Sequence, residues 1–219
     1  MSPSGEELLQ KAVQLHQSSD FKKGKKTAEK ARKQFLKEKN IARATEALRV
    51  MADCALNARD LKDAEKLYSE LMKEANSMSN LWFQSAAYWG KGQIALHKMD
   101  YPTAITSFEN GLEKAQSVAD KWFTGWNAMG LGIAYRGVGR LADAKKVLQE
   151  SVKAFQAANQ TTFVTWSEKI LTEIGGEVPK PETKVWLCPM CGSKFSSDQA
   201  DFLKRGKTVT CEYCGTSVG

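Results

Sequence analysis

Apolar residues recur along most of this chain at three- and four-residue intervals, the spacing of one face of a helix, and the pattern itself repeats every 40 residues. Phe21, Leu61, Tyr101 and Leu141 each follow a polar residue, namely Asp20, Asp60, Asp100 and Arg140. The same step links Gly24, Ala64, Ala104 and Ala144, then Ala28, Tyr68, Phe108 and Leu148, and further upstream Ala12, Ala52, Gly92 and Gly132. Within the fourth unit Gly132 is followed by Tyr135, a turn through Gly137 and Gly139, and then Leu141, Ala144, Leu148 and Ser151 at helical spacing. That order predicts helix, short turn, helix. Small residues belong where two helices cross closely and bulky ones fill the space beside them, so packing alone accounts for these positions. Thr161 to Ile174 repeats only a first helix, with Phe163 matching Phe123 and Phe83 and Trp166 matching Trp126. A lone final helix is what a stack needs to cover its last apolar face. The next stretch, GGEVPKPETK, stops that helix with two glycines and holds the chain extended with two prolines, which marks an interdomain linker.

The segments GIAYRGVGRLADAKKVLQES, within Met129 to Ser151, and YPTAITSFENGL, within Gly92 to Leu112, resemble tetratricopeptide (TPR) repeats. The unit is longer than the usual one, so the resemblance is to the long-repeat kind. A HEAT-like stack has a similar unit length and is the rival fold; the Gly-x-Ala-Tyr spacing at Gly132 to Tyr135 favours TPR. The resemblance implies an all-α helix-hairpin solenoid over residues 5–175, of four 40-residue repeats plus a capping helix, in which the first helices line a concave surface. Arg49, Asp53, Trp89, Gln93, Trp126, Met129, Ile133, Trp166 and Lys169 are the expected groove residues, aromatic toward the C-terminal end and charged toward the N-terminal end. The alternative is that the tryptophans pack between neighbouring helices and touch no partner. Some TPR proteins grip a terminal carboxylate with Lys and Asn, but the corresponding positions here are Leu9, Val13, Val50, Ala86 and Gly90. A peptide held here would be gripped by aromatic and apolar contacts instead.

The clearest chemistry lies at the other end. Cys188-Pro189-Met190-Cys191-Gly192 is followed, after 19 intervening residues, by Cys211-Glu212-Tyr213-Cys214-Gly215. Each Cys-x-x-Cys closes a tight loop that aims two thiolates at one point, and two such loops complete a tetrahedral four-sulfur site. Residues 185–219 are too few to supply a core, so a bound metal should provide most of the folding free energy. The flanking runs KVWL and KTVT are β-prone, with Trp186, Phe195 and Tyr213 expected to pack. Residues 184–217 look like a zinc ribbon. Four thiolates leave no open position for substrate, which favours one structural Zn²⁺; a rubredoxin-like iron centre uses the same ligands and would make the module an electron carrier.

Charge changes the picture at the N-terminus. Residues 1–49 carry 12 Lys or Arg against 6 Asp or Glu, whereas residues 50–179 carry 14 against 15. Lys22, Lys26, Lys30, Lys33 and Lys37 recur at i+4 or i+3 and form one stripe. This is either a solvated face or a contact for an acidic partner or nucleic-acid phosphates. No stretch reaches the roughly 20 apolar residues of a membrane helix, and Met1 to Gln10 lacks the layout of a signal peptide, so a cytoplasmic or nuclear protein without a membrane partner is expected. There is no Gly-rich phosphate loop, Gly-x-Ser-x-Gly or His-Glu-x-x-His; His16 and His97 stand alone, and Cys54 sits among Ala52, Ala55 and Leu56 as a small hydrophobe. No small-molecule substrate is evident. The expectation is a non-enzymatic adaptor for a peptide or partner helix, with a nucleic-acid-associated factor and an electron carrier as the other readings.

Overall fold

The computed structural model of the chain describes residues 3–179 and 186–219. The chain divides into two compact units, Met1–Pro179 and Lys180–Gly219. Of the segment 176–184 expected as a linker, residues 180–184 lie outside the described residues, as does Val185 of the run before Cys188.

The first unit is a helical repeat solenoid. Its helices are α1 Gly5–Gln17, α2 Phe21–Lys37, α3 Ile41–Asn57, α4 Leu61–Ser77, α5 Leu81–His97, α6 Tyr101–Ser117, α7 Lys121–Gly137, α8 Leu141–Ala157 and α9 Thr161–Glu173. From α2 to α8 every helix is 17 residues long and every connection is the same three-residue turn. The middle residue of each turn is left-handed: Ser19, Lys39, Arg59, Ser79, Met99, Ala119, Gly139 and Asn159 all have positive φ. The residue after it returns its N–H to a carbonyl five residues back, as Asp20 does to Leu15 at 2.8 Å and Asn40 to Phe35 at 2.8 Å. This is the Schellman closure, which satisfies carbonyls at the end of one helix. The same residue then caps the next helix: the side chains of Asp20, Asn40, Asp60, Asn80, Asp100 and Asp120 each accept an N–H of the following first turn. Arg140 and Gln160 make no such side-chain bond.

Each helix packs on its sequence neighbours, and α3 also touches both α1 and α5, and α5 touches α7. No pair of even-numbered helices makes comparable contact among the described residues. The odd-numbered helices therefore crowd together on the inner side of this unit. The 40-residue registers meet there in size-matched pairs. The ring of Tyr68 lies on the α5 backbone at Gly90, and that of Phe108 on the α7 backbone at Gly130, so closely that a Cβ at either glycine would enter the ring's van der Waals envelope. Leu148 lies in the same way over Gly132. Buried polar bonds fix the same register: Ser85 Oγ donates to Gly111 O at 2.8 Å, Asn127 Nδ2 donates to Ser85 Oγ at 3.1 Å, and Ser151 Oγ donates to Gly125 O at 2.9 Å. Cys54 is buried, and that burial pushes its thiol up to about 12, which keeps it protonated and inert. No helix among the described residues is long and apolar enough to cross a membrane.

The second unit contains α10, Ser197–Lys204, and a two-stranded antiparallel sheet of β1, Val209–Thr210, and β2, Ser217–Val218. Leu187 bridges Lys194 as an isolated antiparallel pair. The β-character expected here is confined to these short pieces, and α10 was not expected. It begins at a capping box in which Ser196 and Gln199 exchange side-chain and backbone bonds.

Two substitutions test the packing account by thermal unfolding. Gly90→Ala should destabilise the first unit by about 1–3 kcal/mol, because the Tyr68 ring has nowhere to retreat. Met99→Gly should stabilise it by up to about 1 kcal/mol, since an exposed side chain at φ +57° gains from losing its Cβ more than the unfolded chain gains in freedom.

Candidate functional site

The two Cys-x-x-Cys loops are structural copies. In the first, Gly192 N–H returns to Cys188 O at 2.8 Å and Cys188 N–H donates to Ser193 O at 2.9 Å; in the second, Gly215 returns to Cys211 at 2.8 Å and Cys211 donates to Thr216 at 2.9 Å. Both loops turn on a left-handed glycine, φ +71° at Gly192 and +72° at Gly215, which is why glycine follows each second cysteine. The loops bring Cys188, Cys191, Cys211 and Cys214 together with all four sulfurs within 4.8 Å of one another. Cys188 Sγ lies 3.5 Å from Cys214 Sγ, and Cys191 Sγ 3.7 Å from Cys211 Sγ. A metal about 2.3 Å from each of four tetrahedral thiolates sets the sulfurs about 3.8 Å apart, so the donor set fits such an ion. The distances are far beyond a disulfide bond, and all four cysteines are free.

The environment favours thiolates at the outer two positions. The Ser193 hydroxyl, 3.3 Å from Cys191 Sγ, and then the Ser193 N–H hold Cys191 below the usual thiol value. The equivalent hydroxyl and N–H of Thr216 pull Cys214 down to about 6. N–H groups of Tyr213 and Cys214 also lower Cys211, but desolvation and the neighbouring thiols outweigh them and leave it up at about 11. Four anions this close oppose one another, and a divalent cation is what permits all of them to ionise. Around them the buried residues are few: Cys188, Phe195, Val209 and Cys211, with Trp186, Leu203 and Val218 packed alongside. Tyr213, expected to pack, is instead 78% exposed and Met190 is 73% exposed. Both occupy the third position of their Cys-x-x-Cys loop, which points outward once the two sulfurs turn in.

On the inner side of the first unit the expected groove residues separate into two environments. Arg49 is half-buried and spends its guanidinium within its own helix, donating to Glu46 Oε1 at 2.6 Å and to Asp53; its charge also stands 5.7 Å over the ring of Trp82. Asp53 accepts in addition from the buried Tyr68 hydroxyl at 2.6 Å. Desolvation and the Asp53 carboxylate push that hydroxyl well above its usual value, so it stays a donor. Gln93 and Ile133 are half-buried. Met129 departs from its expected groove position: it is 6% exposed and packs against Leu148, Phe155 and Leu171.

The aromatic residues form one connected run. Trp89 meets Trp126 edge-on at 5.8 Å between centroids, Trp126 meets Phe163 at 4.7 Å, and Phe163 meets Trp166 at 5.2 Å; Trp122 closes against Trp126 and Phe163 at 5.8 and 5.3 Å. Trp89 and Trp126 are half-buried within the run, and the buried Trp89 Nε1 has no acceptor among the described residues. Exposure rises toward the end of the stack, to 36% at Trp122 and 50% at Trp166, with Lys169 exposed beside it. Sequence periodicity placed Trp122, Trp126 and Trp166 on the aromatic line and matched Phe163 to Phe123, but did not place Phe163 in the run. The stripe Lys22, Lys26, Lys30, Lys33 and Lys37 is exposed throughout, on the solvent side of α2. No protein-family model matches the sequence, and no curated protein matches it.

Metal dependence is the direct test of the four-sulfur cluster. Chelation should collapse the dispersed amide resonances of residues 186–219 while leaving the helical circular dichroism of the first unit nearly intact, and Cys211→Ser should reproduce it. Because the folded pKa of Cys214 lies below the free thiol value, its preference for the folded loop holds at higher pH and is lost as pH falls through about 6. Bound metal, titrated with a colorimetric chelator, should accordingly be released on acidification.

Proposed function

We propose that this chain is a non-enzymatic adaptor in which a TPR-like stack binds a peptide or partner helix along its inner face, and a structural zinc ribbon supplies a second contact. The observation that carries this reading is the graded exposure of the aromatic run, from half-buried Trp89 and Trp126 to half-exposed Trp166. Phe155, which touches the same run, is by contrast sealed at 0% exposure. Trp122 and Trp166 instead present large, rigid, amphipathic surfaces on the side where the odd-numbered helices converge, the kind of surface on which binding energy concentrates. The regular hairpins, the 40-residue unit and the inner position of the first helices support the TPR-like assignment.

In the small unit, a closed set of four thiolates on two glycine-turned loops supports zinc in a structural role. The cysteines would hold the ion, and its chemistry there is to neutralise four sulfurs and replace the core that so few buried residues cannot build. Two modest contacts joined by a short connection raise avidity without new chemistry.

Peptides selected from a display library against the full chain test the inner-face reading. The expected result is a set rich in apolar and aromatic residues whose affinity drops at least tenfold on Trp166→Ala, with unchanged circular dichroism. Ligands indifferent to both Trp166→Ala and Trp122→Ala would remove the inner face as the binding site.

A further inference from the structure

Helix α2 carries Lys22, Lys26, Lys30, Lys33 and Lys37 on one exposed line about 22 Å long, one cation for nearly every turn. The fold does not require them. At the same register the third repeat has Pro102, Thr106, Asn110, Glu113 and Ser117, and it stacks in the same way. Nor is the helix short of means to neutralise its charge. Its other basic residues are paired: Lys23 with Asp20, Lys25 with Asp63, and Arg32 with Glu70 and Glu74 at 2.7 and 2.6 Å. On the stripe, only Lys33 has a carboxylate partner, Glu29, among the described residues. Like charges at i, i+4 oppose the helix, so a row of which only Lys33 is paired, beside a row systematically paired, is open to an external anion.

A second observation says what kind. The C-terminal half of the stripe borders an open groove of about 650 Å³ lined by Lys30, Lys33 and Lys37 together with Pro3, Leu8 and Gln34. Glu38 also reaches the groove, which leaves its lining net positive. We propose that this end of the stack is a contact surface for single-stranded nucleic acid, with the lysines along the phosphate backbone and the groove admitting an unpaired base. A nucleic-acid strand brings a regular row of charge together with planar polar groups at its side. Lysines act on it as point charges, without sequence readout, and Gln34 offers a donor and an acceptor to a base edge. An anionic membrane is disfavoured because it needs the apolar face of the helix, and Ala28, Ala31 and Phe35 spend that face inside the stack. An acidic peptide meets the same charges, and competition separates it from a nucleic-acid strand.

The surface lies on the solvent side of α2, apart from the inner-face aromatic residues, so the two readings fail separately. The test is fluorescence anisotropy of the full, metal-loaded chain with a labelled oligothymidylate of about 20 nucleotides, across salt. Contacts from four or five lysines to a single strand give a slope of about −3 in log K against log salt, or roughly 60-fold weaker binding at 200 than at 50 mM. Lys30→Gln, Lys33→Gln and Lys37→Gln together should reduce the slope by about 2, while Lys146→Gln with Lys153→Gln on α8 should leave it unchanged. Absence of binding at the lower salt, or an equal loss in the α8 variant, overturns the proposal. So does polyglutamate competing as well as the oligonucleotide, which would reassign the stripe to an acidic protein, or tighter binding to phosphatidylserine vesicles.

Discussion

The three-residue turn governs everything else in the first unit. Its left-handed middle residue closes one helix, and the residue after it caps the next, so a single geometry stops and starts the chain every 20 residues. Because helix length is thereby held at 17, the faces of successive hairpins come into register without slippage, and side chains 40 apart meet equivalent neighbours. A one-residue change in any helix would rotate the following hairpin by about 100° and take its apolar stripe out of the stack. Within that frame size is free to vary as long as facing pairs compensate. Tyr68, Phe108 and Leu148 require glycine opposite, at Gly90, at Gly92 and Gly130, and at Gly132. The first repeat instead has small residues at Gly24 and Ala28, with a neighbour supplying the bulk at Gly24. At Gly24 that neighbour is Cys54, whose sulfur fills the space a side chain would take.

The 40-residue period was legible because packing between hairpins imposes it on buried positions, which tolerate few residue types. The four cysteines were legible because ligand geometry imposes their spacing. The 20-residue period of capping residues was equally present, in Asn40, Asn80 and Asp120 as well as Asp20, Asp60 and Asp100, yet a search for apolar registers passes over it. The left-handed position is harder: Ser19, Lys39, Arg59, Ser79, Met99 and Ala119 are not the residues that conformation prefers, and the backbone bonds on either side hold them there. Helix α10 carried a Ser-x-x-Gln capping box, Ser196 to Gln199, but eight residues give too little periodicity to find it. The exposure of Met129, Trp126 and Trp166 was not legible at all. They share a face of the first helices, and whether each is covered depends on what the next hairpin places over it. Met129 is sealed by the residues around Phe155, whereas Trp166 lies on α9, the last helix of the first unit among the described residues, and stays half-exposed.

In the second unit the order of causes reverses. Very few side chains are buried, and two of them, Cys188 and Cys211, are themselves ligand positions, so the apolar packing is arranged around the sulfur cluster instead of the cluster being hung on a core. The hydroxyls of Ser193 and Thr216 and the N–H groups that follow each glycine turn all point at sulfur, which makes the loops complementary to thiolates before any ion arrives. Their unequal effect on Cys211 and Cys214, one raised and the other lowered, follows from like charges sharing one small volume: the loop geometry prepares the site, and the cation completes it.

Charge on the inner face argues for the same division of labour between the two ends of the stack. Glu46, Arg49 and Asp53 look from sequence like a charged half-groove awaiting a partner, but they are already engaged with one another and with Tyr68. A ligand would have to break those bonds in a partly desolvated setting, at a cost that a new ion pair would at best recover. Attraction on that side therefore falls to the aromatic end, where Trp122 and Trp166 have surface to offer and nothing polar to surrender. The outer face of α2 is the opposite case, since its lysines are solvated and, Lys33 with its Glu29 partner apart, able to meet an anion without first giving up an ion pair among the described residues. The unit thus presents an apolar surface inside and a cationic one outside, and the helix whose buried face fixes the first hairpin is also the one that carries most of the excess positive charge.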